Sequence, residues 1–154
     1  MKRIIPLFAI LFAIVGNAQT SGGGSLDDKG SNEINTISGV LSIIAVGMPG
    51  KDDVTFDVRL NQKAFDELSG SQYSYVLEDS VKGSGDAVHR LLMEDFIGGA
   101  STPPSVSIYD FRGRYASITQ LNEIDFSGVR WIENGVLLNI NGRWRKFLEN
   151  KRKK

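Results

Sequence analysis

The clearest periodicity in the chain is at Val54, Phe56, Val58 and Leu60, which alternate with Thr55, Asp57, Arg59 and Asn61. A period of two sends one set to a dry face and the other to water, so the segment reads as a half-buried strand. Upstream, Ile37 to Val46 is rich in β-branched residues and largely apolar in both alternating sets. That pattern predicts a strand covered on both faces, with a helix through Ile34, Ile37, Leu41 and Ile44 as the alternative. Met48-Pro49-Gly50-Lys51-Asp52-Asp53 is a turn that joins the two into a hairpin.

Further along, Asn61 reads as the cap of a short helix through Leu68, ended at Gly70. Tyr73 to Glu78 predicts another strand, and Asp79 to Gly85 a loop. Val88, Leu91, Leu92 and Phe96 fall at i, i+3, i+4 and i+8, one apolar stripe of a helix over 87–97 with Asp86 as its N-cap. Gly98 and Gly99 stop it, and a loop follows through Pro103 and Pro104.

The last third reads as a β-meander. Ser105 to Phe111 and Arg114 to Thr119 flank Arg112-Gly113, and Gly128 to Glu133 meets Val136 to Ile140 across Asn134-Gly135, a strong hairpin signal. A two-residue loop there pairs Trp131 with Leu138 and Ile132 with Leu137, and gives Val129, Trp131, Leu138 and Ile140 one dry face. After Asn141-Gly142, burying Trp144 rather than Arg143 and Arg145 calls for a longer loop or a bulge. The order predicts an α+β domain: an antiparallel sheet of hairpins and a C-terminal meander, with one main helix packed on it. The alternative is a β-sandwich or barrel with one helix.

The amino terminus is of another kind. Met1-Lys2-Arg3 precedes twelve residues, Ile4 to Val15, that are apolar apart from Pro6, and Gly16-Asn17-Ala18 supplies small residues. This is the pattern of a secretory signal cleaved after residue 18, with the run too short, at about 18 Å, to span a ~30 Å hydrocarbon core. Residues 19–35, rich in Gly, Ser and Asp, read as a flexible leader; 36–148 as the single domain; and 149–154 as a basic tail. The expected location is secreted or periplasmic, with no transmembrane span in the mature chain.

Composition narrows the chemistry. With no cysteine and one histidine, disulfides, thiol nucleophiles and cysteine or multi-histidine metal sites are excluded, and no cofactor or metal is expected. Export of a cysteine-free chain suggests a bacterial envelope. The 18 basic and 18 acidic residues balance only on average: residues 19–96 carry 13 acids and 6 bases, whereas 143–154 carry 7 bases and 1 acid. An acidic body and a basic end also suggest self-association, which needs apolar support because single exposed ion pairs contribute only ~0–1 kcal/mol.

Two candidate sites follow. The first interleaves arginines with aromatics: Arg112, Arg114, Tyr115, Arg130, Arg143, Trp144 and Arg145, with Lys146 beside them. Guanidinium groups beside exposed rings pair with anions and stack on sugars, so the expected partner is a protein or an anionic polysaccharide. Nucleic acid is disfavoured by export and by the acidic body. The second is a hydrolytic alternative using Asp79, Asp86 and Glu94, with His89 as an accessory acid–base group. The chain has no Gly-x-Ser-x-Gly elbow, and Gly83-Ser84-Gly85 lacks the third glycine and the Lys-Ser/Thr ending of a phosphate loop. The resulting expectation is an exported soluble binding or accessory module, with a small secreted hydrolase as the alternative.

Overall fold

The computed structural model describes residues 21–25, 31–47, 54–78, 86–98 and 101–150. The expected signal sequence, the turn at 48–53, the glycine loop at 83–85, Asp79 and the four terminal basic residues lie outside them. Twelve strands and no helix are present among the described residues. They are β1 (Ser21–Ser25), β2 (Ser31–Thr36), β3 (Gly39–Gly47), β4 (Val54–Leu60), β5 (Lys63–Leu68), β6 (Gln72–Leu77), β7 (Arg90–Phe96), β8 (Ser105–Asp110), β9 (Ser117–Glu123), β10 (Val129–Ile132), β11 (Gly135–Ile140) and β12 (Arg143–Leu148).

They form three antiparallel sheets, β1-β6-β7-β8-β9, β2-β3-β4-β5 and β10-β11-β12. The five-stranded sheet is the middle layer. Leu91, Met93, Tyr109 and Phe111 leave one of its faces to pack with Leu41, Ile43, Phe56 and Val58 of the four-stranded sheet. Leu92, Val106, Ile108 and Leu121 leave the other face to pack with Val129, Val136 and Leu138 of the three-stranded sheet.

This arrangement overturns the expected α+β class. The segment 87–97 is not a helix but contains β7, the centre of the middle sheet. Leu91, Leu92 and Met93 are all buried because the strand is covered on both faces. Such a strand is apolar at nearly every position, and a helical stripe can be drawn through it by choosing every third or fourth residue. The sandwich alternative is nearer, but its helix is missing too.

The second expected helix, from Asn61, is strand β5. Asn61 and Gln62 take left-handed φ of 51° and 65° and close a two-residue turn from β4 to β5. The pairing then slips at Val58/Arg59. That bulge sends the neighbours Phe65 and Asp66 both inward: Phe65 meets the Tyr109 ring edge-on at 5.3 Å, and the Tyr109 hydroxyl donates to Asp66 at 2.5 Å. Residues 31–35, within the expected leader, pair together with Thr36 against β3 across a two-residue turn. The strand expected at Arg114 begins at Ser117 and runs to Glu123.

In the three-stranded sheet the predicted dry face is present, but both registers differ. Trp131 pairs with Val136 and Ile132 with Gly135, so Glu133-Asn134 is the loop. Gly135 belongs to the strand because it takes a φ of 152°, and a Cβ there would lie 2.0 Å from the carbonyl oxygen of Phe147. The slip is an even number of residues, which preserves the face. The next hairpin has a two-residue loop rather than the expected longer loop or bulge: Ile140 pairs with Arg143 across Asn141-Gly142, at φ 52° and 78°. These angles suit the right-handed twist of paired strands. Trp144 therefore points to the outer face, while Arg143 and Arg145 share the side of Leu138 and Ile140.

Candidate functional site

A buried cation joins the middle sheet to the three-stranded sheet. Arg90 begins β7, and its side chain, only 3% exposed, turns toward this sheet. One guanidinium nitrogen donates to Glu78 at 2.5 Å, and the other donates to Glu149 and to the Ile132 carbonyl, both at 2.8 Å. The guanidinium also lies 4.9 Å from the centre of the Trp131 ring, whose indole N–H donates to the Leu77 carbonyl at 3.2 Å. Burial works against the cation, but Glu78 and Glu149 outweigh it and hold its pKa above the ordinary arginine range.

Glu149 lies just past β12 and serves two arginines. Its second oxygen accepts from Arg112 at 2.6 Å, and Arg112 also meets both oxygens of Asp110 at 3.0 Å. Asp110, followed by Glu149, raises the Arg112 pKa further. The backbone joins in, with Glu149 N–H donating to the Asn134 carbonyl and Asn150 N–H to the Thr119 hydroxyl. The chain after β12 is thereby fastened to the middle sheet, so the outer face of β10–β12 stands on a fixed base.

That face carries the exposed groups. Strand parity and register place Arg130, Leu137, Asn139, Trp144, Lys146 and Leu148 on it together. The Arg130 guanidinium lies 4.2 Å from the Trp144 ring centre. Gly128 makes room for the indole, since a Cβ there would lie 3.2 Å from the ring edge. Trp144 remains 39% exposed and Leu148 55%. Beside them an open groove of about 920 Å³ has Ile132, Leu137 and Leu148 as apolar lining, Arg112 and Lys146 as cations, and Asp110, Glu133 and Glu149 as carboxylates, of which Asp110 and Glu149 are paired with Arg112. The Asn139 side-chain oxygen is buried beneath this face without a hydrogen-bond partner.

Of the predicted arginine–aromatic set, Arg130, Trp144 and Lys146 share this surface. Arg143 and Arg145 project from the opposite side of β12 yet are exposed. Arg112 lines the groove but is committed to Asp110 and Glu149. Arg114 and Tyr115 stack on each other, 5.5 Å apart, in the loop between β8 and β9. No protein-family model matches the sequence, and neither a curated protein nor a solved structure matches it. Function must therefore be argued from these side chains.

The hydrolytic set is spread out by the strand that replaced the helix. Asp86 and His89 are exposed before β7 starts, and Glu94 is four residues into it, about 13 Å beyond Arg90 at ~3.3 Å per residue. The Ser74 hydroxyl donates to Glu94. No cluster of three or more His, Asp or Glu side chains suited to a metal occurs among the described residues, nor a helix long and apolar enough to cross a membrane.

Glu94 has a pH signature. Burial, more than the neighbouring charge of Asp125, raises its pKa, despite the Ser74 hydrogen bond. A carboxyl whose folded pKa exceeds its unfolded one stabilises the fold below the unfolded value, and that contribution is lost as pH rises through the folded value. Glu94→Gln should therefore raise the melting temperature at pH 7 and leave it nearly unchanged below about pH 4. An equal gain at both pH values would show that charge is not the cause.

The residues that sequence reasoning missed are Arg90, Glu78, Glu149 and Asp110. One signal was available: Arg90 immediately precedes the apolar run Leu91-Leu92-Met93. A cation inside a buried strand must have partners.

Proposed function

We propose that this chain is an exported binding module of a bacterial envelope that takes an anionic partner on its three-stranded sheet. The observation that carries the reading is the Arg130–Trp144 stack, with Lys146 on the same exposed face. An arginine lying over an indole is held flat, so its outward N–H groups are presented with little further ordering on binding. Lys146 adds a second charge at the groove, and Leu137 and Leu148 add apolar contact. Export is supported by the amino-terminal sequence of positive charge, apolar run and small residues.

The test is titration of the full mature chain with polyglutamate and with dextran sulfate at low salt, followed by calorimetry. Binding should weaken steeply with salt. Arg130→Ala with Trp144→Ala should weaken it by about tenfold or more, from the loss of the exposed cation–π pair together with its anion contacts. Absence of binding to both polymers, or full binding by the double variant, would overturn the reading.

A further inference from the structure

We propose that β12 is a docking edge that accepts an extended acidic peptide of a partner protein as an added strand. This rests on the anion-binding reading above and names the class of partner. An edge strand leaves alternate backbone N–H and C=O groups unpaired, a template for another strand unless something blunts it. Most edges of this molecule are blunted. Val88 bridges the edge of β2, donating its N–H to Asn35 at 2.8 Å and accepting from Ile37 at 3.1 Å. The bulge at β5 turns Asp66 inward. The pairing of β9 slips opposite Val106/Ser107, near Asn122 at φ 72°. Strand β10 has four residues, and β1 is Ser-Gly-Gly-Gly-Ser, with almost no side chains to select a partner.

β12 lacks every one of these protections. Its six residues pair with β11 without a break, from Ile140–Arg143 to Gly135–Leu148. It contains no proline, and Arg143 to Lys146 are all exposed. Among the described residues, no strand pairs with its outer side.

Charge chooses the occupant. Two copies of β12 meeting antiparallel about a central twofold axis would set Arg145 against Arg145, or Lys146 against Lys146, and like charges directly opposite are destabilising. An acidic strand reverses the sign. Arg143 and Arg145 lie on one face and Trp144 and Lys146 on the other. An antiparallel partner therefore presents acid, acid, apolar and acid in order, facing Lys146, Arg145, Trp144 and Arg143. Backbone bonds supply affinity in this mode, and alternate side chains supply selection.

The experiment uses the full mature chain and a short capped fluorescent peptide, Thr-Glu-Glu-Val-Glu-Thr, read by anisotropy, with β12 amide exchange followed in parallel. Binding should add protection at the β12 amides. N-methylating alternate peptide nitrogens, which keeps every charge, should weaken binding by about tenfold or more. Arg143→Glu with Arg145→Glu should lose the acidic peptide and gain its lysine counterpart, and both positions are exposed, so circular dichroism should be unchanged. If the N-methylated peptide binds equally, or if dextran sulfate binds and the peptide does not, edge addition is overturned while the anion-binding reading survives. If no anionic probe binds at low salt, both fall.

Discussion

Arg90→Ala should lower the free energy of unfolding by about 3–5 kcal/mol, the range found when one partner is removed from a buried ion pair. The cost comes from what is left behind. Glu78 and Glu149, at 15% and 10% exposure, would lose their cation, and the Ile132 carbonyl would lose its donor. Arg90→Lys should recover little, because one ammonium cannot reproduce the two-pronged donation to carboxylates just past the ends of two different strands. Arg90→Met combined with Glu78→Gln and Glu149→Gln should recover much of the loss, since whole buried networks replaced by uncharged groups are often near neutral. Urea denaturation of the three proteins checks this. A loss under about 1 kcal/mol for Arg90→Ala would mean that apolar packing alone holds the three-stranded sheet in place.

How far the fold was legible follows from what each pattern reports. Strict alternation at Val54–Leu60 identified β4 because that strand has one dry and one wet face. Between Leu91 and Met93 the alternation disappears, since one set serves the four-stranded sheet and the other the three-stranded sheet. A helix and a doubly buried strand then look alike over ten residues. At β5 the bulge that turns Phe65 and Asp66 the same way erased the period of two. The hairpin at Asn141-Gly142 was misjudged for a different reason. The dipeptide specifies a two-residue turn, and because Arg143 to Lys146 are all exposed on an edge strand, burial of Trp144 does not set the register.

The candidate site divides the same way. Arg130, Trp144 and Lys146 could be named from sequence because exposed basic and aromatic residues sit in adjacent strands. The Arg90 network could not, because its three residues come from different regions of the chain and only the tertiary fold places Glu78 and Glu149 on either side of one guanidinium.

Leu92→Ala should cost about 2–5 kcal/mol, and so should Leu91→Ala, for each removes a side chain with no exposed surface from a filled interior. What matters is where the damage goes. Leu92 packs with Val106, Ile108, Val136 and Leu138, and its loss should release amide protection first in β10–β12. Leu91 belongs to the other core, with Leu41, Ile43 and Phe56, and its loss should loosen β2–β5 first. The two leucines share no cluster, so their costs should nearly add, with a coupling energy of roughly 0.5 kcal/mol or less. Together they would remove about 4–10 kcal/mol, a large fraction of the ~5–15 kcal/mol expected for a domain. On a helix, both side chains would belong to one stripe facing one core, and the second truncation would enlarge the cavity left by the first. Strong coupling in the double-mutant cycle, or loss of protection in the same strands for both variants, would therefore count against a middle sheet covered on both sides.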